Sequence, residues 1–187
     1  MTAAAAGPVS IHRLIDLDAA GHDSSALMDG ITAIFRATAA RWPDDAVAAR
    51  AFQHLWLDQY LEHERELAYV AMAGAAVAGY LVGCRINPAA SPRFTQLSYF
   101  QTFAAECADY PAHLHINLAA DFRGQRIGEK LIEALAAALT REGIPGVHAV
   151  TGRDQRNVSF YKRLGFHELA RAPKGSTEVL FLARRLR

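Results

Sequence analysis

The sequence is poor in cysteine, in excess charge of either sign and in long apolar runs. Its 187 residues include two cysteines, too few for a disulfide framework, so reduced thiols in a cytoplasmic protein are expected, with a single bridge between them left open. A net charge of +1 predicts no nucleic-acid partner. No stretch approaches the roughly 18 apolar residues of a membrane span, so no membrane partner is expected.

What the sequence contains is typical of a globular domain. Hydrophobic residues make up 51% and charged residues 21%, which excludes a disordered chain. The length predicts a single domain over 1–187 with a full core. Residues 1–8 lack the basic start of a signal peptide and are expected to form a short disordered lead. Residues 87–110 are expected to form an irregular insertion.

Hydrophobic periodicity predicts both strands and helices. Strands are expected over 9–16, in a buried hairpin over 67–86, and over 112–118, 146–150, 165–171 and 177–184. Helices are expected over 24–42, 46–65, 94–107, 126–142 and 154–164. Because strands and helices alternate in the second half alone, we expect a mixed α/β sheet flanked by helices.

The stretch DFRGQRIGEKLIEAL, residues 121–135, places Arg123, Arg126 and Lys130 at the start of a helix. A helix N-terminus already carries partial positive charge, so basic residues there are unfavourable unless an anion binds. Gly124 permits the backbone angles of a tight turn, and Gly128 has no side chain to prevent a ligand from approaching the helix closely. The backbone N–H groups of the turn suit a phosphate. The turn therefore predicts phosphate binding; the alternative is an ordinary helix start on a basic surface.

Two common phosphate motifs are absent: neither GxxxxGK[ST] nor GxGxxG after a strand occurs. The ordered series HLHINL, RGQRIG, EKLIEALAAAL, GVHAV and NVSFYKRLGFHEL instead resembles the GNAT superfamily of N-acetyltransferases. The resemblance implies a mostly antiparallel sheet of about seven strands, acetyl-CoA as cosubstrate, and transfer of its acetyl group by direct attack of a small-molecule or protein amine. The segment YPAHLHI is similar to the acetyltransferase-like C-terminal domain of O-GlcNAc hydrolases, which implies a non-catalytic CoA-binding or scaffold domain as the alternative.

The family's [Q/R]xxGx[G/A] turn corresponds here to residues 123–128, with Arg126 in place of the middle glycine. An arginine is tolerable there if its backbone angles are helical, and its side chain can add a phosphate contact. The resemblance implies the following cofactor-binding residues: Ile116, Asn117, Leu118, Arg123, Gly124, Gln125, Arg126, Ile127, Gly128, Glu129, Asn157 and Phe160.

Tyr161, in the segment FYKRLGF, lies where the family places a tyrosine near the CoA sulfur. A phenol of pKa about 10 can protonate the departing thiolate, whose pKa is about 8.5. Tyr161 is therefore the best catalytic candidate, and the alternative is a core aromatic residue. Asp154 stands where the family often has asparagine, and is a candidate for contact with substrate or pantetheine.

The attacking amine must lose a proton, which calls for a base or a water relay. His113, His115 and Asn117 alternate onto one face of a strand, and an ordinary histidine pKa near 6.5 suits a base. Both histidines are candidates, with a hydrogen-bonded structural pair as the alternative; Asp109 and His148 are weaker candidates. No HExxH motif and no third ligand near the pair are found, so no metal is predicted.

The acceptor amine and the oligomeric state are not predicted from the sequence. Most aromatic side chains are interpreted as core. Four of them lie in the irregular segment and are candidates for the mouth of a substrate site: Phe94, Tyr99, Phe100 and Phe103.

Overall fold

The computed structural model describes residues 8–187 of the chain. The predicted lead over 1–8 therefore lies outside the described residues, apart from Pro8. The strands are β1 (Val9–Arg13), β2 (Ala68–Ala73), β3 (Ala76–Cys84), β4 (Ala112–Leu118), β5 (Gly146–Gly152), β6 (His167–Lys174) and β7 (Thr177–Arg185). The helices are α1 (Leu14–Ala19), α2 (Ser24–Thr38), α3 (Ala46–Gln53), α4 (Gln59–His63), α5 (Tyr99–Thr102), α6 (Ala104–Asp109), α7 (Ile127–Arg141) and α8 (Asn157–Arg163).

The seven strands form one sheet in the order β1-β2-β3-β4-β5-β7-β6. β4 and β5 are parallel, with Ala112 opposite Val147 and His113 opposite His148. Antiparallel pairing joins β1 to β2, β2 to β3, β5 to β7 and β6 to β7. The prediction of a mixed, mostly antiparallel sheet of about seven strands flanked by helices is confirmed.

Backbone contacts divide the chain into two compact units. Unit 1 contains the described residues up to Gly83 and residues 115–135, and unit 2 contains 84–114 and 136–187. Strand β4 is thus divided between Leu114 and His115. The single domain expected over 1–187 stays a prediction.

In unit 1, helix α2 buries one face and is capped at its start. The Asp23 carboxylate accepts two backbone N–H groups of the first turn, as an N-cap residue does. The helix ends at Thr38, before the predicted 42, where the Thr38 hydroxyl donates to the carbonyl of Ile34 and Ala39 becomes extended. Its buried side chains confirm the helical spacing: Leu27, Ile31, Ile34 and Phe35.

The helix expected over 46–65 is interrupted. Asp45 caps the start of α3, and a π-helical turn over His54–Asp58 then separates α3 from α4. A π turn inserts extra backbone into an α-helix and is frequent at functional sites. The sequence contains no proline or glycine signal for this interruption, so periodicity predicted one continuous helix.

The predicted hairpin is confirmed, with Gly74 in the left-handed region at φ 61°. Further along β3, Gly79 lies so close to the end of β4 that an added Cβ would be 2.2 Å from Leu118 Cδ2. The Ala119 N–H donates to the carbonyl of Ala78 at 3.0 Å. The missing side chain at Gly79 therefore lets β3 approach the segment that leads into the basic turn.

In unit 2, the irregular segment holds two short helices, α5 and α6, in place of the one expected over 94–107. Phe94, Phe100 and Phe103 are each no more than 2% exposed. Phe94 and Phe100 pack on His113, and Phe103 packs on Phe181. The interpretation of these three phenylalanines as a substrate mouth is wrong, because they fill a core.

Both cysteines, Cys84 and Cys107, are buried free thiols, as expected for reduced cysteines. Burial and, to a smaller extent, the nearby Glu106 carboxylate raise the pKa of Cys107 to about 12. The thiol of Cys107 therefore stays protonated. Among the described residues, no helix is long and apolar enough to cross a membrane.

Candidate functional site

The basic turn of unit 1 has the backbone geometry of a tight glycine turn. After β4, a 3-10 turn over Ala120–Phe122 leads to residues 123–126, and α7 begins at Ile127. Gly124 has φ 77° and Arg126 has φ 58°. Arg126 does not have the helical angles that were the condition for tolerating an arginine here: it takes the left-handed conformation, which glycine adopts most readily.

The amides of this turn have no partner among residues 8–187. In the described part of the chain, no acceptor is found for the backbone N–H groups of residues 124–129. Gly124 is exposed, as are the side chains of Gln125 and Arg126, and the Gln125 side-chain amide donates to the Asp121 carbonyl at 2.9 Å. Six consecutive donors at the N-terminus of a fifteen-residue helix, beside exposed cations, fit a diphosphate group.

The left-handed conformation of Arg126 predicts how substitutions there affect stability. Arg126→Gly should leave the free energy of unfolding unchanged or raise it by up to about 1 kcal/mol, because glycine removes the Cβ strain but adds unfolded-state entropy. Arg126→Val should lower it by about 1–2 kcal/mol, because a β-branched residue is strained at this φ. Urea denaturation measures both, and a glycine variant less stable than the valine variant would contradict the assigned turn.

A cavity of about 160 Å³ opens in unit 1 between α2, the π turn and β4. Three aromatic rings line it, those of Phe35, Phe52 and Trp56. Phe35 and Phe52 are stacked with centroids 5.6 Å apart, and Trp56 meets Phe52 at 6.3 Å.

Polar groups and one methyl complete the lining of this cavity. The polar residues are Thr38, His115 and Asn117, and Ala39 supplies the methyl. Two of the predicted site residues, His115 and Asn117, therefore face one cavity together. Asn117 Nδ2 donates to the Tyr80 hydroxyl at 2.8 Å, which fixes the amide.

His115 is held in an aromatic environment. Its ring meets Trp56 and Tyr60 edge-on at 5.1 and 5.2 Å, and its Nε2 lies 3.0 Å from the Tyr60 hydroxyl. Part of the residue remains accessible, but packing removes water from the imidazole and lowers its pKa to about 4. His115 is therefore neutral at physiological pH.

This lowered pKa predicts a pH dependence of stability. Between its folded pKa of about 4 and its unfolded value near 6.5, the unfolded chain binds a proton that the folded chain does not. The contribution of His115 to the free energy of unfolding is therefore complete above pH 6.5 and decreases as the pH falls below that value. Between pH 7.5 and 5, wild-type protein should lose about 2 kcal/mol more than His115→Gln. Urea denaturation at both pH values tests this; equal losses would show that His115 is hydrated.

Tyr161 belongs to unit 2, where it lies on α8 and is 4% exposed. Its ring packs between Phe160 and Phe166, with centroids 5.3 and 5.2 Å away. Burial raises its pKa, so the phenol keeps its proton. Its hydroxyl makes no hydrogen bond within residues 8–187, so no protein acceptor in that part of the chain competes for its proton.

Other candidates of unit 2 occupy different environments. Asp154 is exposed in the turn after β5. Asn157 opens α8, and its Oδ1 accepts a hydrogen bond from the Thr151 hydroxyl at 2.9 Å. Asp109 ends α6, where its carbonyl oxygen accepts a hydrogen bond from the Arg185 guanidinium at 3.1 Å.

His113 and His148 form a buried pair in unit 2. Their exposures are 2% and 0%, and their rings stack at 5.5 Å. His148 Nδ1 donates to the Tyr110 carbonyl at 2.6 Å. This packing favours a structural role for His113 over a role as a base. The environment of His113 therefore differs from that of His115, which lies two residues further along the same strand.

Comparison with known families agrees with the geometry of the turn. The model of the acetyltransferase (GNAT) family matches residues 28–166. The chain belongs to this family. The structure of SsHAT is 25% identical to the chain, with a TM-score of 0.72 and coverage of 96% of this chain and 98% of that chain. The closer resemblance to O-GlcNAc hydrolase domains stays a prediction.

Two further GNAT-like structures share the fold at lower identity. A GCN5-related N-acetyltransferase from Kribbella flavida is 17% identical, with a TM-score of 0.64, covering 95% of this chain and 98% of that chain. A chain of the NatC complex bound to Gag peptide and CoA is 15% identical, with a TM-score of 0.61, covering 96% and 99%. Membership of the GNAT family thus rests on the sequence match and on the fold.

Sequence reasoning missed the aromatic part of the cavity within this GNAT chain. Phe35, Phe52 and Trp56 lie in the helices predicted over 24–42 and 46–65, and the general interpretation of aromatic side chains as core covers all three. The spacing of Phe52 and Trp56 by four residues places both on one helix face, which was the available signal. The side chain of Phe35 comes from a different helix, so the cavity itself was not predictable by periodicity.

Proposed function

We propose that the protein transfers the acetyl group of acetyl-CoA to an amine by direct attack, without a covalent enzyme intermediate. The observation that carries this proposal is the row of amide donors at 124–129, which have no acceptor in the described chain. Backbone donors at a helix N-terminus beside exposed basic side chains are suited to a diphosphate. Membership of the GNAT family supports acetyl-CoA as its source.

The proposal assigns binding roles to residues of unit 1. The backbone N–H groups of 124–129 hold the diphosphate, and the exposed side chains of Arg123 and Arg126 add positive charge around it. The backbone of Ile116, Asn117 and Leu118 holds the pantetheine arm. Acetyl-CoA supplies the acetyl thioester, and the chain orients it relative to the amine, which lowers the entropic part of the barrier.

His115 is assigned to orientation of the amine, not to removal of its proton. A base whose conjugate acid has a pKa of about 4 is poorly matched to an alkylammonium of pKa about 10, a gap of about 8 kcal/mol. His115 Nε2 lies 3.0 Å from the Tyr60 hydroxyl, and the tautomer in which Nε2–H donates to that oxygen keeps a lone pair on Nδ1 that can accept an N–H of the neutral amine. One proton of the alkylammonium leaves to solvent before attack, through a water relay. After the C–N bond forms, the nitrogen loses a second proton, which replaces the one that Tyr161 gives to the sulfur.

Tyr161 is assigned as the general acid. Its proton is retained by burial and has no acceptor in the described chain, and transfer to the departing sulfur avoids release of a free thiolate. The exposed Asp154 and Asn157 remain proposed contacts to the pantetheine or the substrate, as does Phe160. His113 has no role in this proposal, because its ring is enclosed by Phe94, Phe100 and His148.

The test is release of free CoA thiol from acetyl-CoA with a panel of primary amines. An N-acetyltransferase releases thiol in proportion to acetylated amine, which mass spectrometry counts. Binding of acetyl-CoA with no amine-dependent thiol release would instead support the non-catalytic domain implied by the resemblance to O-GlcNAc hydrolase domains. Absence of acetyl-CoA binding would contradict both.

A further inference from the structure

The aromatic cavity of unit 1 has the size and lining of a site for one small apolar group. Its volume of about 160 Å³ is close to that of an engineered apolar cavity of about 150 Å³ that binds benzene. The Phe35 and Phe52 rings form one wall and Trp56 extends it. A linear polyamine or an extended peptide would leave much of this wall uncovered.

The cavity carries no side chain that is charged at neutral pH among its described lining residues. The pKa of His115 is lowered to about 4 by loss of water around the ring, so the imidazole is neutral there. The same environment disfavours an ammonium ion held inside the cavity, because a desolvated cation needs a paired anion. Charge therefore favours an uncharged occupant.

The polar atoms of the lining are arranged as acceptors. The Thr38 hydroxyl donates its proton to the Ile34 carbonyl, which leaves oxygen lone pairs. Asn117 uses its Nδ2 on Tyr80, which leaves Oδ1. An amine presents N–H donors, so these oxygens complement an amino group attached to the apolar body.

The π turn explains why this chain has the cavity. Trp56 lies at the centre of the turn His54–Asp58, and Phe52 lies in the last turn of α3. Insertion of extra backbone changes the angular spacing between side chains on either side. Trp56 can thus contact both Phe52 and His115.

We propose that this cavity selects the acceptor by holding a compact aromatic or branched apolar group that carries the primary amine. The inference rests on the proposed acetyl transfer, which requires an amine, and on the cavity, whose lining requires an apolar group. It makes small arylalkylamines preferred acceptors over polyamines and lysine-like cations.

The binding test uses Trp56 as a reporter. The chain has two tryptophans, so the Trp42→Phe background leaves Trp56 as the sole indole. 2-Phenylethanol, an uncharged probe of the apolar body, should change Trp56 fluorescence saturably, and tetramethylammonium should not. The reverse order would overturn the proposal and indicate an aromatic cage for cations.

A pair of alanine variants tests the location. Ala39 lines the cavity, whereas the adjacent Ala40 is exposed and outside its lining. Ala39→Trp should fill the cavity and weaken 2-phenylethanol binding at least about tenfold, which corresponds to about 1.4 kcal/mol. Ala40→Trp should leave it unchanged. Because the new indole changes the tryptophan fluorescence, calorimetry is used to measure the affinity of each variant for 2-phenylethanol. Equal affinities in the two variants would overturn the proposal.

Turnover separates failure of this inference from failure of the proposed function. Wild-type protein should acetylate 2-phenylethylamine with a kcat/KM at least about tenfold above that for spermidine, and Ala39→Trp should remove this preference. Equal turnover of both amines would overturn the acceptor preference and leave acetyl transfer in place. Probe binding without turnover of any amine would contradict the proposed acetyl transfer and leave the cavity's specificity standing.

Discussion

Tyr161→Phe should lower kcat about 100-fold, the lower end of the range for loss of a general acid. Phenylalanine keeps the ring between Phe160 and Phe166 and removes the hydroxyl alone. Since that hydroxyl makes no hydrogen bond in the described chain, stability and acetyl-CoA affinity should change little. Steady-state thiol release gives kcat, and calorimetry gives the affinity.

The matched control is Tyr110→Phe, which also removes one phenolic oxygen from unit 2. The Tyr110 ring packs against Gly146 and under the Arg185 guanidinium, and both contacts survive in phenylalanine. Thiol release should be unchanged in this variant. A Tyr161→Phe enzyme as active as wild type would remove Tyr161 from the mechanism and leave a water or the amine's own proton as the acid.

Gly124→Asp should weaken acetyl-CoA binding about tenfold or more. A carboxylate beside the amides of 124–129 competes with the diphosphate and repels it. This repulsion costs about 1.4 kcal/mol when the two charged groups are several ångströms apart in a hydrated site. Apart from its two chain neighbours, no described residue has a heavy atom within 4 Å of a Cβ built at Gly124, so the new side chain meets no steric block there. Calorimetric titration measures the affinity.

Gly124→Asn isolates the charge effect, because asparagine has the shape of aspartate without its charge. Both residues tolerate a φ near 77° better than most, so both variants share the same backbone cost. The asparagine variant should bind acetyl-CoA at least about tenfold more tightly than the aspartate variant. Equal affinities would mean that the diphosphate does not lie at this turn.

Strand β4, helix α7 and the turn between them were predictable because each depends on local sequence. Alternation in HLHINL predicted β4, helical spacing predicted α7, and both are confirmed. The conformation of Arg126 was not predictable from the residue itself, since arginine disfavours positive φ. It follows from the turn between strand and helix, whose closure overrides the preference of one residue.

The two histidines of β4 show a different limit of sequence reasoning. His113 and His115 share a strand face by alternation, and the sequence assigned them the same candidate role. In the structure, His113 packs with phenylalanines and His148, whereas His115 lines the cavity. Their environments are set by residues more than ten positions away, which periodicity does not report.

The backbone amide signals of residues 124–129 report directly on whether these N–H groups bind the diphosphate of acetyl-CoA. In an NMR titration of ¹⁵N-labelled protein, acetyl-CoA should shift these backbone N–H signals as each donor gains a phosphate acceptor. Acetyl-pantetheine, which lacks the diphosphate, should leave them in place while shifting signals of 116–118. If acetyl-CoA binds and the signals of 124–129 do not move, the turn is not the diphosphate site, and the proposed role of its amides is wrong.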